Sequence, residues 1–404
     1  MHLLASHYRS EFLATPQLIR FDLTEGHGGF EPTLLIKART LLLKYIVQGV
    51  AMKLSFARLG DRLLYALKVK DDDTKPGILW SILERDKEKA ALIALVQGES
   101  CQVFLFNELA VNLAWASLPI TADENLTEMI AGIATGSADH VALKTEASVI
   151  LDRFHDDEMG DGDIIVVDLP NTTAWNPIFN QFITSHATVS PIDLFASDEG
   201  SQQEQLAIWL TDSLHPLGIY HSPQIPKGRG YRELADVLLS YQHGSILIES
   251  KALTIFGRDR LPSRTKLARN VSGHITKALK QLRGGIRRLN DGTPVSSKAG
   301  VQINVERTQP VHAIVLIPDL DLIEDREAFG IELIQGFTKD TGGFLHLLDV
   351  AELLRIVQAA EIISSHGTNT SPIMAFDYYL IERTKKACQS GTLCIEVLLR
   401  FADE

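Results

Sequence analysis

Three cysteines, Cys101, Cys388 and Cys394, are too few and too scattered for a disulfide framework or a zinc cluster. So small a thiol content suits a reducing compartment, and a cytoplasmic location is expected. Long apolar runs are missing too. The run "TLLLKYIVQGVAM" is too short for a bilayer and carries a lysine, so no membrane partner is expected. The opening "MHLLASHYRSEF" has no basic stretch leading into an apolar one, so no signal peptide is expected. No glycine-rich loop closes on Gly-Lys-Ser/Thr, which argues against an NTP-driven motor. Positive charge is short overall, and a net charge of −12 disfavours broad, unspecific attachment to nucleic acid.

Apolar residues are plentiful enough for real cores, since 45% of the chain is hydrophobic and only 22% charged. A length of 404 residues favours two or three domains. The turn-rich stretch "ATVSPIDLFASDEGSQQ" (187–203) reads as the boundary. The fold class expected is α/β in the broad sense, more narrowly α+β. An N-terminal mixed domain occupies 1–190 and a second domain 195–404. The first should hold a helix over 34–59 and an antiparallel meander through 61–120, with "KEKAALIALV" open to a helix. Its role is sensing, regulation or oligomerisation, through a homodimer or a partner protein.

The second half carries the chemistry. "ADVLLSYQ" (235–242) and "SILIESKAL" (245–253) read as two strands joined by a tight turn. Glu249 and Lys251 are two residues apart, so on a strand they project from one face. Asp236 opens the partner strand, where pairing sets it beside Glu249. Two carboxylates about 4 Å apart repel by roughly 4 kcal/mol at an effective dielectric of about 20. A shared proton, a neighbouring cation or a metal must relieve that. Oxygen-only donors suit Mg²⁺ (or Mn²⁺), which keeps several waters and takes one or two carboxylates plus a substrate phosphate. An ammonium aimed at the same place can orient an attacking water or stabilise developing charge.

This pattern resembles the PD-(D/E)XK nuclease superfamily. Asp236, a twelve-residue gap, and Glu249-Ser250-Lys251 carry the resemblance, together with the order helix, three strands, helix, strand over 204–318. The resemblance implies a restriction-endonuclease-like αβββαβ core and an Mg²⁺-dependent endonuclease that hydrolyses phosphodiester bonds. Its substrate would be nucleic acid, DNA ahead of RNA, in a setting of restriction or anti-phage defence. It also implies that Asp236, Glu249 and Ser250 meet the metal and that Lys251 serves the water. Glu204 on the first helix and Gln281 on the helix after the motif complete the catalytic set. The residue before Asp236 is Ala235 rather than proline, a departure at a variable position. The resemblance does not reach 1–190. The alternative is a non-catalytic nucleic-acid-binding or scaffolding module with a degenerate site.

From Lys251 to Arg288 there are eleven basic residues and one acid, so the remainder of the chain stands at −22. Arg258, Arg260, Arg264, Lys266 and Arg269 are expected in a loop. Lys277, Lys280 and Arg283 follow on a helix over 271–289, with Ser272 as its cap. Lys277, Lys280 and Arg287 can share one side of it. Residues of this kind hold phosphates and give affinity with little sequence information. Lys227 and Arg229 in the glycine-bearing loop "KGRGYRE" (227–233) are further phosphate contacts. Gly284-Gly285 costs roughly 1 kcal/mol per glycine inside a helix, which signals a kink, a close backbone approach to a partner or nucleic acid, or the helix end.

Overall fold

The computed structural model describes residues 6–26, 29–121, 124–156, 164–185, 188–255, 261–308, 310–366 and 369–395. It is an α+β structure with mixed and antiparallel sheets. The chain divides into two units, Met1–Asn180 with Asp193–Phe195, and Gln181–Ile192 with Ala196–Glu404. Among the described residues no helix is long and apolar enough to cross a membrane.

In the first unit, α1 (Ser6–Ala14) precedes the antiparallel pair β1 (Leu18–Gly26) and β2 (Gly29–Lys37). Next come α2 (Thr40–Val47), β3 (Met52–Leu59), β4 (Arg62–Val69), β5 (Gly77–Ile82) and α3 (Asp86–Val96). β6 (Cys101–Phe106), β7 (Asn112–Leu118), α4 (Glu124–Ala131), α5 (His140–His155), β8 (Ile164–Leu169) and β9 (Asn176–Pro177) follow. The sheets run β1-β2-β6-β7-β9 and β5-β4-β3-β8. Two expectations change here. The single helix over 34–59 is a strand, a short helix and a strand: Leu34, Leu35 and Ile36 are wholly buried in β2, and Gly49 at φ +79° turns the chain toward β3. The expected meander is split between the two sheets by α3, which forms because the Glu88 carboxylate accepts the amides of Glu84 and Arg85 at its N-terminus. The core of this unit encloses an ion cluster. Buried Arg20 pairs with Glu11, with Glu88 at 3.3 Å and with Glu84 at 3.5 Å.

The second unit begins with the ribbon β10 (Asn180–Ile183) and β11 (Val189–Ile192) and with α6 (Glu199–Asp212), capped by Asp198. Then come β12 (Gly218–His221), β13 (Gln224–Lys227), β14 (Gly230–Glu233), β15 (Val237–Tyr241), β16 (Gly244–Ser250) and α7 (Arg264–Asn290). β17 (Val295–Ser296), β18 (Gln302–Ile303), β19 (His312–Ile317), α8 (Ile331–Thr341), β20 (Phe344–Asp349), α9 (Val350–Ser365) and α10 (Pro372–Ser390) complete it. The main sheet runs β12-β15-β16-β19-β20, antiparallel up to β16 and parallel beyond it. A small sheet runs β14-β13-β17-β18.

Three local expectations are corrected in this unit. "KGRGYRE" belongs to the β13–β14 hairpin rather than to an open loop. α7 begins at Arg264, where the Ser263 hydroxyl accepts the Lys266 amide, so Arg264, Lys266 and Arg269 are helical and Ser272 is no cap. Arg258 and Arg260 lie outside the described residues. α7 also continues through its glycine pair to Asn290. The close approach there is to the protein's own chain: a Cβ on Gly285 would meet the Leu234 carbonyl at 3.1 Å and Leu247 at 3.3 Å. Glycine lets the helix settle on β16 at that point.

Candidate active site

The β15–β16 hairpin pairs Val237 with Ile248. One step further along the same register, Asp236 stands opposite Glu249. Both strands are buried along their length, because their neighbours in the sheet cover both edges. Two further bonds fix the ends. The Ser222 amide donates to the Asp236 carbonyl at 2.7 Å, and the Lys251 amide donates to Leu316 of β19 at 2.8 Å. Asp236, Glu249 and Lys251 are thus placed by main-chain pairing rather than by loop conformation.

Lys251 Nζ lies 2.7 Å from Glu249 Oε2 and 3.2 Å from Asp236 Oδ2. Asp236 Oδ2 also accepts the Ser250 amide at 2.6 Å. Strand alternation turns the Ser250 side chain to the other face, so this residue contributes its main chain. Among the described residues its buried hydroxyl has no hydrogen-bond partner.

The acids outnumber the bases. Burial raises the Glu249 carboxyl to about 7, and the Asp236 charge adds to the effect against the pull of Lys251. Burial likewise raises Asp236, opposed by Lys251 and the Ser250 amide and reinforced by Glu204. Burial on its own would lower Lys251, but Glu249 and Asp236 outweigh it and keep the ammonium charged. Glu233, at the end of β14, adds to the raising of Glu249. Two carboxylates therefore contact one lysine, and the charges of Glu204 and Glu233 are felt at those two acids.

Of the six residues named from sequence for catalysis or metal, Asp236, Glu249, Ser250 and Lys251 are in direct contact with one another. Glu204 stands beside them on α6, where its Oε2 is 2.8 Å from His221 Nε2. Gln281 lies on the exposed outer side of α7 and makes no hydrogen bond to the acids or to Lys251. It lines a cleft together with Lys280 and Arg283. Arg283 is partly engaged, 3.5 Å from Asp340 and stacked over Phe337. Lys277 is on the side of His274 instead, and its charge helps lower that imidazole after burial does. Lys227 and Arg229 are exposed at the tip of the β13–β14 hairpin.

Sequence reading missed His221 and Glu233 and set His274 aside. His221 reaches the site only through the β12–β15 register, which pairs it with Val237. His274 is near enough to the Ala252 main chain and to Lys251 for both to act on its imidazole. A helix position seven before Gln281 and three before Lys277 was the available signal for it.

Among the described residues no group of three or more His, Cys, Asp or Glu side chains stands in metal-binding geometry. The donor set nonetheless fits a hard divalent cation, which needs one or two carboxylates and completes its shell with water. An excess of buried acid that pushes one carboxyl up to about 7 is relieved by such an ion. Compared with known proteins, the chain matches no family model, no curated protein and no solved structure.

Proposed function

We propose that the second unit is a divalent-cation-dependent phosphodiesterase acting on nucleic acid, as the resemblance to PD-(D/E)XK nucleases implies. One observation carries the reading: a single ammonium bridges two buried carboxylates that a sheet register holds face to face. Asp236 and Glu249 would hold Mg²⁺ or Mn²⁺, which when bound lowers the pKa of water and offsets the charge of a phosphate. Burial favours the protonated form of Glu249, so it would have to lose that proton to serve as a ligand. Lys251, kept cationic by both acids, orients the attacking water and stabilises charge on the phosphate oxygens. Glu204 adds negative charge beside Asp236 and is held in place by His221. DNA is placed ahead of RNA, and a role in restriction or defence is carried over from the resemblance alone.

The test is incubation of the purified chain with plasmid, linear duplex, single strands and RNA, with Mn²⁺, with Mg²⁺ and with EDTA. Cleavage should need the cation and should fall by about 100-fold or more in Asp236→Asn and in Lys251→Ala. Unchanged cleavage in either variant refutes the assignment. Absence of Mn²⁺ binding dependent on Asp236, measured by calorimetry, would favour the non-catalytic alternative.

A further inference from the structure

The β13–β14 hairpin runs into Asp236 within three residues of Glu233. It pairs Gln224 with Glu233, Ile225 with Arg232, Pro226 with Tyr231 and Lys227 with Gly230. Its tip is Gly228-Arg229, with Gly228 at φ +59°. Ile225 is wholly buried and anchors the inner face, while Tyr231 on the outer face is 70% exposed. Among the described residues the Tyr231 ring has no hydrogen bond and no aromatic neighbour. An exposed aromatic on one face of a hairpin whose tip and other face carry Arg229, Lys227 and Arg232 can stack on a base while the cations hold the backbone.

Two independent features tie this hairpin to the site. Tyr231 and Glu233 share a strand face, and the chain runs from Glu233 to Asp236 within three residues, held by Leu234 N–H to Pro223 and by Ser222 N–H to the Asp236 carbonyl. Tyr231 therefore stands about 7 Å up the strand from a residue at the acids. On the inner face, Arg232 reaches α7, where a Cβ on Gly284 would lie 3.7 Å from its Nη2. There it lines a cleft of about 940 Å³ with Lys280, Arg283 and Arg287, over Leu279 and Phe329. Asp325 is the one acid in that lining. Among the described residues Arg232, Lys280 and Arg287 have no acid partner.

We propose that the hairpin and this cleft grip unpaired nucleotides, with Tyr231 stacking on a base and Arg232, Lys280 and Arg287 holding successive phosphates. The substrate class is then single-stranded nucleic acid or the frayed end of a duplex, because paired and stacked bases offer Tyr231 no free face. The proposal rests on the phosphodiesterase reading for its chemistry but not for its binding, and the test keeps the two apart.

Binding is measured by fluorescence anisotropy on full-length Asp236→Asn protein in EDTA. The probes are a labelled single strand of about 16 nucleotides, as DNA and as RNA, and the corresponding duplex. Single strands should bind more tightly than duplex. Tyr231→Ala should weaken single-strand binding by roughly 5- to 100-fold, Tyr231→Trp should retain it, and duplex binding should change little. Arg232→Ala with Arg287→Ala should weaken every probe and flatten the salt dependence by about 0.7 per lost phosphate contact for single strands. The DNA and RNA arms identify the sugar, and preference for either supports the proposal. Equal affinity of Tyr231→Ala and its parent for single strands, or tighter binding of duplex, overturns it. If no condition gives cleavage but Tyr231→Ala loses single strands, the catalytic reading falls and the hairpin reading stands. If cleavage depends on Asp236 while Tyr231→Ala binds and cuts like wild type, the hairpin reading alone falls.

Discussion

Replacing Glu249 by glutamine isolates the electrostatic strain of the site. The carboxyl is almost wholly buried, and burial with the Asp236 charge raises it from 4.5 to about 7. A glutamine amide keeps the shape of the protonated carboxyl and stays neutral at every pH. The folded chain holds the Glu249 proton in a window, between about pH 4.5 and 7, where the unfolded chain has lost it. Stability from this group is therefore present below pH 4.5 and is lost as pH rises through 7. The upward shift corresponds to about 3 kcal/mol of penalty once the group is fully ionised, near pH 8. Glu249→Gln should thus match wild type at pH 5 and exceed it at pH 8.

The assay is thermal unfolding of both proteins at pH 5 and pH 8 in EDTA. For a unit of some 200 residues, about 3 kcal/mol moves the midpoint by roughly 6–12 °C. Comparing two proteins at each pH cancels the titrating groups that Glu249 does not touch, leaving Glu249 with its coupled partners Asp236 and Lys251. Adding Mn²⁺ at pH 8 should restore much of the deficit to wild type and little to Glu249→Gln, because a ligating carboxylate must lose its proton. Parallel pH dependence in the two proteins would refute the account, since Glu249 would then ionise as readily in the fold as in the unfolded chain.

The glycine pair of α7 gives two predictions of opposite sign. Gly284→Ala has room, with Arg232 Nη2 at 3.7 Å, and should stabilise by about 0.5–1 kcal/mol, read as a higher unfolding midpoint. Gly285→Ala presses on the Leu234 carbonyl at 3.1 Å and should destabilise by roughly 1–3 kcal/mol, so equal effects at both positions would contradict the packing. In the first unit, Arg20→Met removes the nearer cation from buried Glu88, leaving it Arg85 at 3.5 Å and two main-chain amides, and should cost about 3 kcal/mol. Glu88→Gln added to it should return part of that loss, and strict additivity in denaturant titrations would show that the two groups are not coupled.

What was legible in the sequence was what main-chain pairing and burial decide locally. "VLLSYQHGSILIES" is apolar on both faces with one tight turn, so it has few alternatives to a central hairpin, and Asp236, Glu249 and Lys251 meet as a consequence. The start of α7 was misplaced because its apolar stripe was followed only from Val271. Leu267 and Ala268 already belong to it, and the Ser263 cap precedes them. The strand of 34–37 was hidden for a different reason: Leu34 to Ile36 fit a buried helix as well as a strand, and only pairing with β1 on one side and β6 on the other decides. His221 and Glu233 could not be assigned to the site, since one arrives through the β12–β15 pairing and the other at the end of the β13–β14 hairpin, and no local signal sets either register.

The separation of charge within the second unit has a mechanical consequence. The cations of the cleft lie on the outer side of α7 and on Arg232 of β14, while Asp236 and Glu249 meet one lysine at the sheet end, with the charges of Glu204 and Glu233 felt there. A polyanion held by Arg232, Lys280 and Arg287 meets repulsion as it approaches those acids. Under the phosphodiesterase reading, affinity and reactivity are therefore set by different groups. Holding the strand needs no divalent cation, whereas bringing a phosphate to Lys251 does. Single-strand affinity should be nearly the same in EDTA and in Ca²⁺ for the Asp236→Asn protein, whose acid nest is depleted. In wild type it should rise with the cation, because neutralising Glu249 and Asp236 removes the repulsion. Identical cation dependence in the two proteins would mean that the acids do not face the bound strand.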